Sequence, residues 1–297
     1  VRQTKNMSEN GGGRVSPLFI PMMIANIAGA NVAIRCNAQG PALTCVAACA
    51  TGTNAVGEAF LAVARGDAEA IIAGGSDATL NPRAVGGFQS ARALSLEEDP
   101  LKACLPFDAR RSGFVIAEGA GVLVLEEYQH AKARGAEMIA EVVGYGNTCD
   151  AHHVTAPSPD GKSAARAIRR ALQMGGYRSG EALYINAHGT GTHLNDSSET
   201  AAIRLALGPD ADRAMVSSTK SMTAHALGAA GAIELVASAL ALRHGIVPPT
   251  IGLREPDPAC DLDYVPLEAR RADIDIAISN SLGFGGHNAV VALRKIL

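Results

Sequence analysis

The order of apolar and polar positions along the chain predicts alternating strands and helices. Residues 53–65 place their apolar side chains on one face of a helix, which Gly66 ends. Short apolar runs predict strands at residues 42–47, 70–73, 140–145, 183–186 and 215–219, and one or two more within 113–126. Four further helices are expected. One spans residues 16–33 and enters the core, one spans residues 128–134, and the other two end at Met174 and near Arg243. Such alternation is typical of layered α/β proteins with buried sheets.

The second half of the chain repeats the plan of the first. In each half a short apolar run leads into a turn of small residues and then into an alanine-rich helix. The first turn contains Cys49 and the second contains His225, and a glycine follows three residues after each of them. The pattern predicts two related halves, a first domain at residues 1–140 with the cysteine and a second at 141–297 with two histidines.

Composition limits the kinds of protein this chain represents. It has 297 residues, of which 47% are hydrophobic and 19% charged, enough to build a large core. The formal net charge of -3 shows no basic excess, so a nucleic-acid partner is not expected. Four arginines could form a local basic patch for an acidic partner, or they could be ordinary solvated surface residues. They are Arg110, Arg111, Arg169 and Arg170.

The spacing of the cysteines and the composition of the first residues indicate the cellular compartment. Six cysteines occur without a C-x-x-C spacing, which favours a reducing compartment, either the cytoplasm or an organelle matrix or stroma. No apolar run reaches the roughly 18 residues of a membrane span, so no membrane partner is expected. The first 14 residues are polar and glycine-rich, without a signal-peptide pattern. The chain does not begin with methionine, so we expect it to be processed or incompletely represented.

Cys49 is the first candidate for chemistry. It lies where an apolar run meets a predicted helix, and the positive end of a helix dipole favours the reactive thiolate. A buried structural cysteine is the alternative, since free cysteines are often buried. His188 and His225 lie in similar glycine-rich turns, and one cysteine with two histidines at element ends suits acyl transfer. Adjacent glycines in the turn 283–286 would let backbone N–H groups form an oxyanion hole.

Four motifs occur in order along the chain. They are Ala-Cys-x-x-Gly at Cys49, Asn-Ala-His-Gly-Thr-Gly-Thr ending at Thr192, Ser-Ser-Thr-Lys-Ser-Met-Thr-x-His ending at His225, and Asn-Ser-x-Gly-Phe-Gly-Gly-His-Asn ending at Asn288. Together they closely resemble the β-ketoacyl-acyl-carrier-protein synthases, nearest to the synthase I/II branch. The resemblance implies a thiolase-like α-β-α-β-α fold of two halves with five-stranded sheets. The N-terminal part of the first half is expected to be absent from this sequence.

The resemblance also implies a role for each matching residue. Cys49 becomes the acylated nucleophile, and His188 and His225 are its partners beside the active-site lysine, Lys220. Phe284 matches a gating phenylalanine, with core packing as the alternative. The other matches are threonines that hold phosphopantetheine, a second mobile loop and a supporting glutamate: Thr190, Thr192, Asp150, His153 and Glu234. Ala47 and Ala224 depart from the usual threonine and glycine of relatives, which is expected to reshape the acyl pocket.

The implied activity is decarboxylative Claisen condensation in fatty-acid elongation, an acyltransferase reaction of the 3-oxoacyl-[acyl-carrier-protein] synthases. No metal or other cofactor is expected, because phosphopantetheine of acyl-carrier protein carries the substrates and decarboxylation drives the reaction. The implied partners are acyl-carrier protein and a second copy of the chain in a homodimer. A type II polyketide ketosynthase is the main alternative. A degradative thiolase lacks support because no second cysteine lies in a Cys-x-Gly turn, and a non-catalytic partner subunit would have lost Cys49.

Overall fold

A computed structural model describes residues 2–296 and divides the chain into two compact units, residues 1–45 and 46–297. The first unit contains three helices, α1 (Arg2–Asn10), α2 (Phe19–Met23) and α3 (Ile27–Cys36). The single helix predicted at residues 16–33 is therefore wrong, because the backbone at Ile24 is extended and separates α2 from α3. The described residues of α2 and α3 include none that is buried, so they do not enter a core. Consecutive apolar residues define no single face, which is why the run misled the prediction.

The second unit contains the remaining helices and strands. Its helices are α4 (Thr51–Ala64), α5 (Pro82–Ser90), α6 (Pro100–Ala103), α7 (Tyr128–Ala133), α8 (Lys162–Met174), α9 (His193–Leu207), α10 (Lys220–Thr223) and α11 (Ala230–His244). Its strands are β1 (Ala70–Asp77), β2 (Gly119–Glu126), β3 (Glu141–Cys149), β4 (Leu183–Asn186), β5 (Met215–Ser217), β6 (Ile246–Val247), β7 (Arg270–Arg271), β8 (Ile276–Gly283) and β9 (His287–Arg294). The helices predicted from residue 53 and from residue 128 are confirmed, as are those ending at Met174 and near Arg243. Residues 42–47 form no strand, contrary to the prediction.

A two-stranded antiparallel sheet, β1–β2, forms the first half of the layered core. Its inner face carries Ala73 and Leu125, whereas Ile72 on the other face is 40% exposed. The strand β1 continues to Asp77, four residues beyond the end that the apolar run at 70–73 predicts. A Cβ on Gly75 would lie 2.6 Å from the carbonyl oxygen of Gly228. Glycine is needed there for a close backbone approach rather than to stop the strand.

A five-stranded mixed sheet forms the second half, in the order β3-β9-β8-β4-β5. The strand β4 is parallel to β5 and to the central strand β8, whereas β9 is antiparallel to both β3 and β8. Helix α8 packs on one face of this sheet and against α9. Helices α4 and α11 lie between the two sheets, because α4 contacts both β1 and β9 while α11 contacts both β2 and β8. These layers agree with the thiolase-like fold that the resemblance implies. The implied five strands are present in the second sheet, whereas the first sheet has two strands among residues 2–296.

The place of α11 in this middle layer explains its composition. Residues 227–244, which contain α11, are long and apolar enough to cross a bilayer, and 61% of the stretch is buried inside the protein. The expectation that no stretch of this length and composition exists is therefore wrong. A helix packed between two sheets is apolar on all sides for the same reason as a membrane helix, since each side faces nonpolar neighbours. The boundary at residues 140/141 stays a prediction.

Candidate active site

Three side chains far apart in the sequence meet in the second unit. The sulfur of Cys49 and one ring nitrogen each of His188 and His225 all lie within 4.8 Å of one another. Cys49 lies in a 3-10 turn directly before α4, His188 follows β4, and His225 follows α10. The fold therefore assembles the cysteine and the two histidines that the sequence singled out.

Small residues hold the turn of Cys49 against the turn that follows His225. A Cβ on Gly52 would lie 2.8 Å from the backbone nitrogen of Ala232, and that on Gly75 would strike the Gly228 carbonyl. The side chain of Thr51 accepts a hydrogen bond from the backbone N–H of Ala47 at 2.9 Å and so ties the turn to the start of α4. Any larger residue at these glycines would push the cysteine and histidine turns apart.

Ala224 stands where relatives usually have glycine, and its backbone shows why glycine is favoured there. Its φ is 55°, a backbone conformation in which glycine is favoured and a Cβ is strained, at a cost of about 1–3 kcal/mol. The backbone N–H of His225 nevertheless donates to the Val115 carbonyl at 2.8 Å, and the Ala117 N–H donates to the His225 carbonyl at 2.9 Å. Two hydrogen bonds from a neighbouring segment thus hold His225 in place despite the alanine.

The environment of Cys49 differs from the one expected at a helix N-terminus. Burial raises the pKa of the Cys49 thiol to about 11, and the charge of Lys220 and the backbone N–H groups of Phe284 and Cys49 offset this only in part. The expectation of a resting thiolate is therefore wrong, because removal of the sulfur from water outweighs the helix terminus. With this pKa the Cys49 side chain is a thiol at neutral pH.

Both histidines are neutral at neutral pH. Burial, followed by the charge of Lys220, holds the pKa of His188 and of His225 well below the usual range of imidazole. The two rings lie edge to face, with centroids 5.2 Å apart and planes at 84°. Neutral imidazoles can accept a proton from a thiol or donate a hydrogen bond to a carbonyl oxygen.

Lys220 lies beside His188 and is buried in an ion pair. Its Nζ is 3.3 Å from His188 Nδ1 and forms a short contact with a carboxylate oxygen of Glu234. Only 1% of the Lys220 side chain and 2% of the Glu234 side chain are exposed. Burial raises the pKa of Glu234, and the adjacent Lys220 charge lowers it in part. The predicted supporting pair of Lys220 and Glu234 is therefore in contact with one of the two histidines, His188.

Glu199 is a site residue that sequence reasoning missed. It lies on α9, and its two carboxylate oxygens accept the backbone N–H groups of His188 and Gly189, each at 2.8 Å. The Nδ2 of Asn280 donates to it at 3.2 Å, and the side chain is buried. These bonds fix the turn that carries His188. A glutamate in a polar helix has no sequence signal that separates it from a solvated one.

The threonines of the His188 loop are close to each other and firmly supported. The Oγ1 atoms of Thr190 and Thr192 are 3.0 Å apart, and Thr190 is buried. Between them, the Gly191 N–H donates to Asp196 at 3.2 Å, and Arg111 Nε donates to the Thr192 carbonyl at 3.3 Å. Hydrogen bonds therefore hold the loop through the N–H group of Gly191 and the carbonyl group of Thr192.

Arg110 and Arg111 both form ion pairs with nearby carboxylates. Arg111 is only 3% exposed and pairs with Asp257 at 2.6 Å. Arg110 pairs with the buried Asp108 at 2.8 Å. Arg111 is therefore inaccessible to a partner, and the reading of that residue as part of a docking patch is wrong. Arg110 is exposed and also pairs with Glu255 at 3.4 Å, and its place in a patch stays a hypothesis.

Phe284 lies at the edge of the site on the turn between β8 and β9. Its ring is 36% exposed and lies 6.4 Å, centroid to centroid, from that of Phe88. A Cβ on the preceding residue, Gly283, would lie 3.2 Å from the backbone nitrogen of Cys49. Gly285 and Gly286 after it have φ of 88° and 76°, so the ring sits on a turn with left-handed backbone on one side.

The second predicted mobile loop contacts the same turn. Asp150 accepts Asn288 Nδ2 at 2.7 Å, and its backbone N–H donates to the Gly286 carbonyl at 2.9 Å. The Gly285 N–H donates to the Val154 carbonyl at 2.8 Å. His153 is exposed and accepts the backbone N–H groups of Thr155 and Ala156 through Nδ1. Movement of the Phe284 turn therefore requires bonds to the loop at 150–156 to change.

Known proteins are similar to this chain in sequence and in fold. Residues 2–131 match the N-terminal domain of β-ketoacyl synthases, and residues 139–254 match the C-terminal domain. The 3-oxoacyl-[acyl-carrier-protein] synthase 2 of Synechocystis sp. is 54% identical over 288 residues, which cover 97% of this chain and 69% of that protein. Its counterpart in Staphylococcus aureus is 50% identical over 291 residues, which cover 98% of this chain and 70% of that protein.

Solved structures agree with the sequence comparisons. A type II polyketide ketosynthase, solved in complex with its acyl-carrier protein, has a TM-score of 0.95 and 39% identity, with 100% of this chain and 73% of that chain covered. The layered fold and the matching relatives are those of a condensing enzyme, an acyltransferase of the thiolase-like class. By its domains and its relatives, the chain belongs to the β-ketoacyl synthase family.

Proposed function

We propose that this chain condenses a Cys49-bound acyl group with malonyl-acyl-carrier protein by decarboxylative Claisen condensation, in fatty-acid elongation. The observation that carries the proposal is the meeting of Cys49, His188 and His225 within 4.8 Å, with both imidazoles neutral. A thiol nucleophile and two uncharged hydrogen-bond donors are what the two half-reactions need.

In the first half-reaction Cys49 attacks the thioester carbonyl of acyl-carrier protein. Because Cys49 rests as a thiol, a neutral imidazole takes its proton and returns it to the pantetheine thiol that leaves. The backbone N–H groups of Cys49 and Phe284 both interact with the sulfur, which supports a role for them in stabilising the oxyanion. Losing one such donor typically costs ~3 kcal/mol of transition-state stabilisation.

In the second half-reaction His188 and His225 hold the malonyl thioester. An ammonium group has only donors, so Lys220 makes His188 Nδ1 an acceptor and leaves the ring proton on Nε2. The Nε2–H group can donate a hydrogen bond to the malonyl thioester carbonyl. This bond stabilises the enolate that forms as carbon dioxide departs. The carbanion then attacks the acyl-Cys49 thioester, which forms the carbon–carbon bond and releases the Cys49 thiolate.

The remaining residues bind or gate the substrates. Thr190 and Thr192 present two adjacent hydroxyl groups for the phosphopantetheine arm. Phe284 closes the malonyl side until Cys49 is acylated, and the loop with Asp150 and His153 moves with it. Glu234 supports Lys220. The reaction uses no metal or organic cofactor in this proposal.

Acyl-carrier protein is the proposed partner, and the chain acts as a homodimer in the cytoplasm or an organelle matrix or stroma. A related ketosynthase has been solved with its acyl-carrier protein bound, which supports the first of these. Polyketide synthesis is the second candidate pathway, favoured by that structure. The greater identity to the synthase 2 relatives, 54% against 39%, favours fatty-acid elongation.

Partial reactions test the proposal. Cys49→Ala should take up no acyl group from acyl-carrier protein and should therefore form no β-ketoacyl product. His188→Ala should become acylated and fail to decarboxylate. Intact-protein mass spectrometry with carriers of several chain lengths measures the first step, and carbon dioxide release measures the second. Condensation by Cys49→Ala would contradict the mechanism, and a preference for polyketide-length chains would favour the second pathway.

A further inference from the structure

The active-site trio has the donor set of a metal site. A cysteine sulfur and two histidine nitrogens, all within 4.8 Å, are the ligand types that Zn²⁺ and Co²⁺ prefer. The two imidazoles are buried, which would keep competing water away from a bound ion. Three protein ligands would leave one position open for water, as in many catalytic zinc sites. A thiol enzyme with this geometry is at risk of capture by such ions.

The surroundings of His188 are the reverse of those of a metal ligand. A metal-bound histidine donates its other ring N–H to a carboxylate, a carbonyl or water. His188 Nδ1 instead faces the ammonium group of Lys220 at 3.3 Å. Because the ammonium group can only donate, Nδ1 must accept, and the proton stays on the nitrogen that a metal would need.

Lys220 cannot easily turn away from this position. It is buried and held in an ion pair with Glu234, itself buried. By contrast, Nδ1 of His225 has no hydrogen-bond partner among residues 2–296, so no donor faces that nitrogen as Lys220 faces His188. The barrier to metal binding is therefore concentrated at the contact between Lys220 and His188.

We propose that Lys220 keeps thiophilic divalent metal ions out of the Cys49–His188–His225 centre. To bind a metal ion through Nε2, His188 would have to carry its proton on Nδ1, against the ammonium group. Without the ammonium group this obstacle is absent. Replacing Lys220 by an uncharged side chain should therefore turn the trio into a metal site. This inference concerns binding alone and does not depend on the proposed reaction.

Cobalt binding tests the inference with a spectroscopic readout. Lys220→Met alone leaves the buried Glu234 without its partner, which threatens folding, so the main variant is Lys220→Met with Glu234→Gln. We expect this double variant to bind one Co²⁺ per chain roughly 10–100-fold more tightly than the unmodified protein, the range typical of changes beside a metal ligand. A sulfur-to-cobalt charge-transfer band should accompany binding, and adding Cys49→Ser should remove it.

Two controls make the outcome decisive. Lys162→Met removes an exposed lysine and should leave cobalt affinity unchanged, and Glu234→Gln alone should also bind weakly because Lys220 remains. Equal cobalt affinity in the unmodified protein and the double variant would overturn the role of Lys220. Absence of the charge-transfer band in a folded double variant would overturn the site itself.

Discussion

Asp77 accepts a hydrogen bond from the backbone N–H of Gly228 at 3.1 Å and thereby ties the end of β1 to the turn after His225. A second oxygen of the same carboxylate accepts the hydroxyl of Thr79 in a short contact. Leu227 in this turn has φ of 46°, so the turn is strained and benefits from an external anchor. A residue on the first sheet thus helps to place a histidine of the second half.

Asp77→Ala should loosen that turn and reduce decarboxylation more than Cys49 acylation. We expect unfolding to become easier by about 1.5 kcal/mol, the lower end for a hydrogen bond to a charged group, because Asp77 is only half-buried. Asp77→Asn keeps an acceptor oxygen and should restore most of the rate, whereas the exposed neighbour Ser76→Ala serves as the control. Urea unfolding and carbon dioxide release measure the two effects. Equal losses in both partial reactions would show a merely structural role.

Glu199→Ala should misplace His188. It leaves two buried backbone N–H groups without acceptors, so we expect a loss of about 2–4 kcal/mol of unfolding free energy. Decarboxylation should fall more than acylation because His188 acts in the former. Thermal unfolding and the two partial reactions provide the measurement, with the exposed Glu98→Ala as the control. A stability equal to that of the control would show that these bonds contribute nothing.

Alkylation of Cys49 should depend steeply on pH. Only the thiolate reacts, and burial raises the pKa of the Cys49 thiol to about 11, so the rate should rise about tenfold per pH unit from pH 7 to 10. Because the folded state holds this proton more tightly than the ordinary value of 9.0, the fold loses stability as pH rises from 9.0 to about 11. Iodoacetamide labelling with peptide mapping gives the rates, and the exposed Cys149 is the internal control. Rapid, pH-independent labelling of Cys49 near neutrality would contradict the buried thiol.

Phe284→Ala should separate decarboxylation from condensation. Removing the ring opens the malonyl side before Cys49 is loaded, so more carbon dioxide should be released per β-ketoacyl product. The ring is 36% exposed, so its loss should cost little stability. Tyr128→Ala, a change of another exposed aromatic residue, is the control. Unchanged rates and an unchanged ratio would reduce Phe284 to a packing residue.

The sequence by itself determined the elements whose signals are local. The apolar stripe of α4, the buried strand β4 and the ordered motifs around Cys49, His188 and His225 depend on spacing within a few residues, which the chain displays directly. The same local reasoning failed at residues 16–33 and 42–47, because unbroken apolar runs carry no period that assigns a face or a partner.

Only the tertiary structure decided the electrostatics of the site. The helix terminus at Cys49 predicts a thiolate, but burial raises the pKa of its thiol, and burial depends on segments that are distant in the sequence. Glu199 and Asp77 look like any solvated acid until the fold brings backbone N–H groups to them. The contact between Lys220 and His188 likewise joins residues 32 positions apart. Desolvation and hydrogen bonding act through space, so these features depend on neighbours that the local sequence does not name.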